Sequence, residues 1–127
     1  MLPPPPTPFK QDLPVLQKTA EAYKIWHAQH AAFPRLSKFT LGAKIDGLFT
    51  DLIESLLMAG YASPEQKAAY VARAAAKLDL LKFFIQSAWE LKCLDHKKYA
   101  ALAAPLAEIG RMVGGWRKTV QNKAPDR

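Results

Sequence analysis

From Val15 to Asn122 the apolar residues recur at alternating steps of three and four. The pattern is interrupted at only three places: Pro34, Gly60 with Ser63-Pro64, and the step before Asp95. A chain written with that period buries stripes along helices and has no alternating face to give a sheet. Strand signals are correspondingly scarce. No period-two run is sustained, and Ala, Leu, Lys, Gln and Glu dominate where a sheet would use β-branched residues.

The first predicted helix runs from Val15 to Ala32, with Leu16, Thr19, Tyr23, Trp26, His30 and Phe33 on one stripe, and Pro34 ends it. The second runs from Leu41 to Ala59. Its stripe is Leu41, Ile45, Leu48, Leu52 and Ala59, beside Phe49, Ile53 and Leu56, and Gly60 is its expected left-handed cap. The third opens at Ser63-Pro64-Glu65-Gln66, which supplies a hydroxyl N-cap, proline where no amide donor is needed, and a Gln to close a capping box. It is expected to reach Leu94. The fourth runs from Asp95 to Asn122 on a heptad stripe of Tyr99, Leu102, Leu106, Ile109, Val113, Trp116 and Val120. Pro105 cannot bond the carbonyl of Ala101, so a kink or short break is expected there.

Four helices with short connections specify an all-α, antiparallel up-and-down four-helix bundle over residues 15–122. A proline-rich arm over 1–14 precedes it, with Pro3 to Pro6 and Pro8 favouring extended polyproline structure, and a basic tail over 123–127 follows. The 127 residues, 50% hydrophobic, suit one domain with one core and need no staple. The single Cys93 has no partner thiol and is expected as a buried structural residue. After Met1 and Leu2 come prolines rather than a basic and an apolar segment, so no secretory signal is expected and the compartment is read as cytoplasmic. No apolar run approaches the roughly 18 residues that span a bilayer, which argues against a membrane role.

The net charge of +7 is unevenly placed. Residues 1–63 hold six Lys/Arg and five Asp/Glu, whereas residues 64–127 hold twelve and six. A field concentrated in the second half favours polyanions, RNA or DNA above all, or an acidic protein surface. On the fourth helix Lys97, Arg111 and Lys118, with Arg117 beside them, recur opposite the core stripe as a basic ridge. On the third, Arg73, Lys77 and Lys82 raise the same possibility, with an intrahelical Lys82–Asp79 pair as the alternative for Lys82. A solvated charged face is the competing reading of both.

The third helix is apolar on two sides. Ala74, Leu78, Leu81, Ile85 and Ala88 make the core face, and Leu80, Phe84, Leu91 and Leu94 a second one, which points to an oligomer; a broad core stripe in a monomer is the alternative. On the fourth helix Ala100, Ala103, Ala107, Gly110 and Gly114 form a small-residue stripe that lets another backbone come close, from the same chain or another subunit. Each glycine inside a helix costs about 1 kcal/mol relative to alanine, so Gly110, Gly114 and Gly115 need a reason.

Catalytic patterns are missing. A di-metal carboxylate bundle needs inward Glu-x-x-His pairs, and the nearest approach is His27 and His30, expected as one exposed and one packed side chain. His96 is expected in solvent. There is no phosphate-binding glycine loop, nucleophile elbow or dinucleotide fingerprint, so neither an enzyme nor a cofactor is expected.

Phe33-Pro34-Arg35 followed by Thr40-Leu41-Gly42, then Leu78-Asp79-Leu80-Leu81-Lys82-Phe83-Phe84, and above all the block from Glu108 through Gly110-Arg111-Met112-Val113-Gly114-Gly115-Trp116, carry a likeness. From roughly Tyr23 to Lys118 the chain resembles the accessory variability determinant (Avd) proteins of diversity-generating retroelements. Four-helix proteins encoded in ribosomal RNA intervening sequences share that fold. The resemblance implies a basic protomer that assembles into a barrel-like homopentamer and has no activity of its own. It implies binding to the retroelement's reverse transcriptase and to nucleic acid, template RNA or cDNA, in support of mutagenic reverse transcription and retrohoming. By the matching segments it carries over Lys82 and Arg111. The family often has a second basic residue one turn after Lys82, where this chain has Gln86, and Pro105 is unusual for the helix it interrupts.

The residues expected to meet nucleic acid or reverse transcriptase are therefore Arg73, Lys77, Lys82, Arg111, Arg117 and Lys118. Those expected between subunits are Leu80, Phe84, Leu91, Gly110 and Gly114. A protein-only interaction scaffold, or an intervening-sequence-type protein without a retroelement, is the alternative; a metal-dependent bundle enzyme lacks its ligands.

Overall fold

The computed structural model describes residues 13–123, with the Lys123 side chain left out, so the arm before Leu13 and the tail after Lys123 lie outside the described residues. Helix α1 spans Pro14–Ala31, the one-turn α2 Arg35–Lys38, α3 Leu41–Tyr61, α4 Pro64–Glu90 and α5 His96–Lys123. No strand occurs among the described residues. The four long helices pack in a ring in which α1 touches α3, α3 touches α4, α4 touches α5 and α5 returns to α1. Short connections make consecutive neighbours antiparallel, which gives the up-and-down order.

The core follows the expected stripes closely on α3, α4 and α5, whereas on α1 it is shifted: Val15, Ala22 and Gln29 are buried, and Leu16, Tyr23 and His30 of the expected stripe are only half-buried. Val15, Ala22, Trp26 and Phe33, with Ile45, Leu48, Phe49, Leu52 and Leu56, Ala74, Leu78, Leu81, Ile85 and Ala88, and Leu102, Leu106, Ile109 and Val113, form one buried cluster; Thr19 and Val71 are buried as well. The buried Thr19 and Ser55 hydroxyls donate to the carbonyls of Val15 and Asp51, so their burial leaves no donor unpaired. The single acid Asp46 pins α1 to α3: its Oδ1 accepts from the Tyr23 hydroxyl at 2.9 Å and the Trp26 indole at 3.1 Å. Burial first, and then the bond and charge of Asp46, raise the Tyr23 phenol above its ordinary value.

The helices depart from expectation in four ways. Gly60 is not a left-handed cap; α3 continues through Tyr61, and no described glycine has positive φ. The Lys67 ammonium donates to the Ala59 carbonyl at 2.7 Å and satisfies the end of α3 instead. Ala62 and Ser63 are extended, with ψ of 151° and 159°, as the approach to Pro64 demands. Ser63 is the N-cap of α4, but its side chain makes no cap bond, so the capping box does not form. The third long helix stops at Glu90 rather than Leu94. There Lys92 takes φ 65°, its amide bonds the Trp89 carbonyl, and the Cys93 amide bonds the Ala88 carbonyl at 2.7 Å. This is a Schellman turn with lysine in the usual glycine position. It sends Leu94 into the core, and Asp95 then caps α5 by accepting from the Lys98 amide at 2.8 Å. Lastly, α5 runs through Pro105 without a break.

His30 and His27 divide as expected into a half-buried and an exposed side chain, and His96 is exposed; Cys93 is half-buried rather than fully enclosed. Among the described residues no helix is long and apolar enough to cross a membrane.

Candidate functional site

The six candidate cations fall into two groups and a remainder. Arg73 and Lys77 lie on the α3 side of α4, around a cavity of about 190 Å³ shared with Asp51, Glu54 and Ser55. Lys77 pairs with Asp51 at 3.3 Å, and the Arg73 guanidinium lies 5.6 Å from the Tyr70 ring centroid. Two cations against two carboxylates leave that groove without net charge. Lys118 is exposed and lines neither groove.

On the opposite side of α4, Lys82 faces Arg111 and Arg117 across the groove between α4 and α5. A cavity of about 350 Å³ lies there, with Gly110 and Gly114 in its floor and Asp79 as its one carboxylate. Three cations against one anion leave a surplus of two, and none of the three forms an ion pair with another described residue. The intrahelical Lys82–Asp79 pair considered from the sequence is thus not made. Lys82 instead reaches over α5: its Nζ lies 2.7 Å from where a Cβ on Gly110 would sit. Part of the small-residue stripe, Ala107, Gly110 and Gly114, and two cations of the basic ridge, Arg111 and Arg117, thus line one groove, while Lys97 and Lys118 of the ridge do not. Gly110 leaves room for the ammonium, whereas Gly114 and Gly115 open onto empty space.

The groove continues past Lys82 into a second cavity of about 240 Å³, walled by Ile85, Gln86, Tyr99, Ala103 and Leu106. Lys82 and Ala107 line both cavities. Gln86, where the resembled family often carries another cation, keeps this end polar but uncharged. Tyr99 stacks on Trp89 at 5.2 Å and 27°, which fixes the ring against the groove wall. Sequence reading overlooked Tyr99 as a site residue because it belongs to the heptad core stripe; only its place at the helix's first turn exposes part of it.

The candidate subunit-interface residues are also rearranged. Leu80 is exposed on the outer side of α4, and Leu91 is 67% exposed in the turn after it. Leu94, expected on the same face, is buried in the core. Phe84 is half-buried, packed on the core with the Lys44 ammonium 5.8 Å from its ring centroid. The fully outward aromatic is its neighbour Phe83, 64% exposed and edge-on to Phe84 at 5.3 Å. The step of three from Leu80 to Phe83 was the available signal. Two further apolar side chains, Leu36 at 90% and Phe39 at 78% exposed, project from α2 and the turn after it. Among the described residues no three His, Cys, Asp or Glu side chains gather as metal ligands.

The motif segments acquire physical reasons in this fold. Phe33 is buried, and Gly42 lies under the His30 ring, where a Cβ would stand 2.7 Å from Nε2. The Gly-Arg-x-x-Gly-Gly-Trp block supplies the groove floor, one rim cation and Trp116, which lies beneath the Lys67 ammonium at 5.8 Å. Neither the curated proteins nor the solved structures include a significant match to the chain. A model of the bAvd-like family matches residues 14–120, all of the bundle but the last three residues of α5, and the protein belongs to that family.

Proposed function

We propose that this protein is a non-catalytic accessory subunit of a diversity-generating retroelement, binding nucleic acid along the α4–α5 groove and working beside the element's reverse transcriptase. Family membership supports the retroelement association. The observation that carries the nucleic-acid reading is the imbalance between the two grooves flanking α4. Lys82, Arg111 and Arg117 stand unpaired over a floor of small residues, while Arg73 and Lys77 already face Asp51 and Glu54. Phosphates would meet free cations in the first groove and displaced carboxylates in the second.

The test is a salt series of RNA and DNA binding by fluorescence anisotropy. Each phosphate contact removed lowers the slope of log K against log salt by about 0.7 to 0.9. Lys82→Gln and Arg111→Gln should each do so, and Arg73→Gln should not. Equal losses from all three would mean that only total charge matters, and unchanged binding by the first two would remove the groove as the site.

The exposed Leu80 and Phe83 support the further reading that the protomer assembles, as a homopentamer by analogy with the resembled family. A contiguous outward pair of large apolar side chains is seldom left in water. The apolar tip Leu36–Phe39, flanked by Arg35 and Lys38, suits docking to a protein such as the reverse transcriptase. A mass near 14.1 kDa in light scattering at micromolar concentration would defeat the assembly.

A further inference from the structure

We infer that the α4–α5 groove takes single-stranded nucleic acid in preference to duplex, with one unpaired base seated in the cavity beside Tyr99 and the adjoining phosphates on Lys82, Arg111 and Arg117. This rests on the nucleic-acid reading above and goes further, to the form of the strand.

Three observations carry it. The first is that the groove divides into two chemically different compartments joined end to end. One has Lys82, Arg111 and Arg117, while the other shares only Lys82 of these cations and is otherwise bounded by Ile85, Ala103, Leu106 and Ala107, with Tyr99 as an aromatic wall and Gln86 as a hydrogen-bonding side chain. A charged chain alone would need only the first. A strand whose backbone is anionic and whose bases are planar, apolar on their faces and polar on their edges needs both.

The second is size. The cavity beside Tyr99 holds about 240 Å³, below the range of about 300 to 1,000 Å³ that encloses drug-sized ligands, and suits one planar ring system. The third is width. Neighbouring helices pack with axes about 8 to 10 Å apart, so the trough between them admits a single extended strand. A duplex lying across it could set phosphates on the cations, but its bases are stacked and paired inside and none would reach Tyr99. The Tyr99 ring, already stacked on Trp89, is held in place before the base arrives.

The experiment uses the full chain and four labelled probes of ten residues: single-stranded DNA, single-stranded RNA, a duplex of the same sequence, and an abasic strand that keeps the phosphates. At equal salt, either base-bearing single strand should bind roughly tenfold more tightly than the duplex or the abasic strand, the effect of about one stacked base. Ala107→Leu places an apolar side chain where the two cavities meet, at an exposed position that does not endanger the fold. It should remove most of that tenfold preference. Gln86→Ala, also at an exposed position, should weaken the base-bearing strands and leave the abasic strand alone.

Duplex or abasic strands that bind as tightly as single strands would overturn the inference while leaving an electrostatic nucleic-acid site in place. Ala107→Leu without effect on any probe would overturn it too. If no probe binds at any salt and the groove variants instead weaken binding to a protein, both this inference and the nucleic-acid reading fall together.

Discussion

Gly42 is the residue whose replacement tests the packing most sharply. It is buried in the first turn of α3, and a Cβ there would lie 2.7 Å from Nε2 and 2.8 Å from Cδ2 of His30, and 3.3 Å from Cδ2 of Phe33. The His30 ring is not free to yield. Its Nε2 donates to the Lys38 carbonyl at 2.9 Å, and its face stacks on Trp26 at 5.0 Å and 16°. Trp26 in turn is fully buried and tied to Asp46. Overpacking of this kind costs about 1 to 3 kcal/mol, and removing a helical glycine returns up to about 1 kcal/mol. Gly42→Ala should therefore destabilise the bundle by about 1 to 2 kcal/mol, or roughly 4 to 8 °C in Tm for a chain of this size.

The decisive comparison is the same substitution in a His30→Ala background. There the obstructing ring is gone, only the ordinary give of Phe33 is needed, and the helix-propensity gain should dominate. Gly42→Ala should then be neutral or stabilising, a coupling of about 1.5 to 2 kcal/mol between the two sites. Urea titrations followed by circular dichroism, all at one protein concentration because assembly would shift the midpoint, give the four free energies. Equal destabilisation in both backgrounds would refute the reasoning, since the cost would then arise from the backbone of α3 and not from the ring above it.

Three further outcomes follow from the same geometry. Lys92→Gly should raise stability by about 0.5 to 1 kcal/mol in thermal melts, because φ 65° disfavours any side chain and the exposed lysine makes no bond that glycine would lose; a drop would contradict the left-handed turn. Asp46→Asn should lower the pH at which Tyr23 ionises, read as ultraviolet absorbance. In the parent protein the raised Tyr23 value makes its contribution to stability complete below the ordinary tyrosine range near 10 and lost as pH rises through the folded value. Phe83→Glu should dissociate an oligomer while helicity persists, whereas Phe84→Glu should also reduce helicity because Phe84 packs on the core; sedimentation and circular dichroism separate the two, and an unchanged mass for Phe83→Glu would exclude that face as the interface.

The bundle was legible because each of its stripes is a local pattern. Trp26, Leu52, Leu81 and Ile109 can be assigned to the interior from spacing alone. The helix ends were less legible, since side chains of other segments decide them. Lys67 satisfies the end of α3 from the next helix, which frees Gly60 from capping, and the burial of Leu94 pulls Lys92 into a conformation that nothing in its own chemistry favours. That Phe83 is exposed and Phe84 half-buried was not legible for a related reason. A wheel places two adjacent residues 100° apart, but which of them faces a neighbour depends on where α3 sits.

The candidate site shows the same limit in its electrostatics. Spacing identifies cations on a helix face and says nothing about anions that arrive from another helix. The Lys77 charge is compensated by Asp51 of α3, whereas Lys82 has no ion-pair partner among the described residues. The reason lies in α5, whose sequence contains a single acid, Glu108. That carboxylate points toward α1 and binds Lys18 at 2.9 Å, so toward α4 the helix presents small residues and the cations Arg111 and Arg117. The positive groove thus arises from where one glutamate is held as much as from where the basic residues fall. A carboxylate placed on the other side of α5, as in Ala107→Glu, would stand beside Lys82 and supply the compensation that the α3 side of α4 already has.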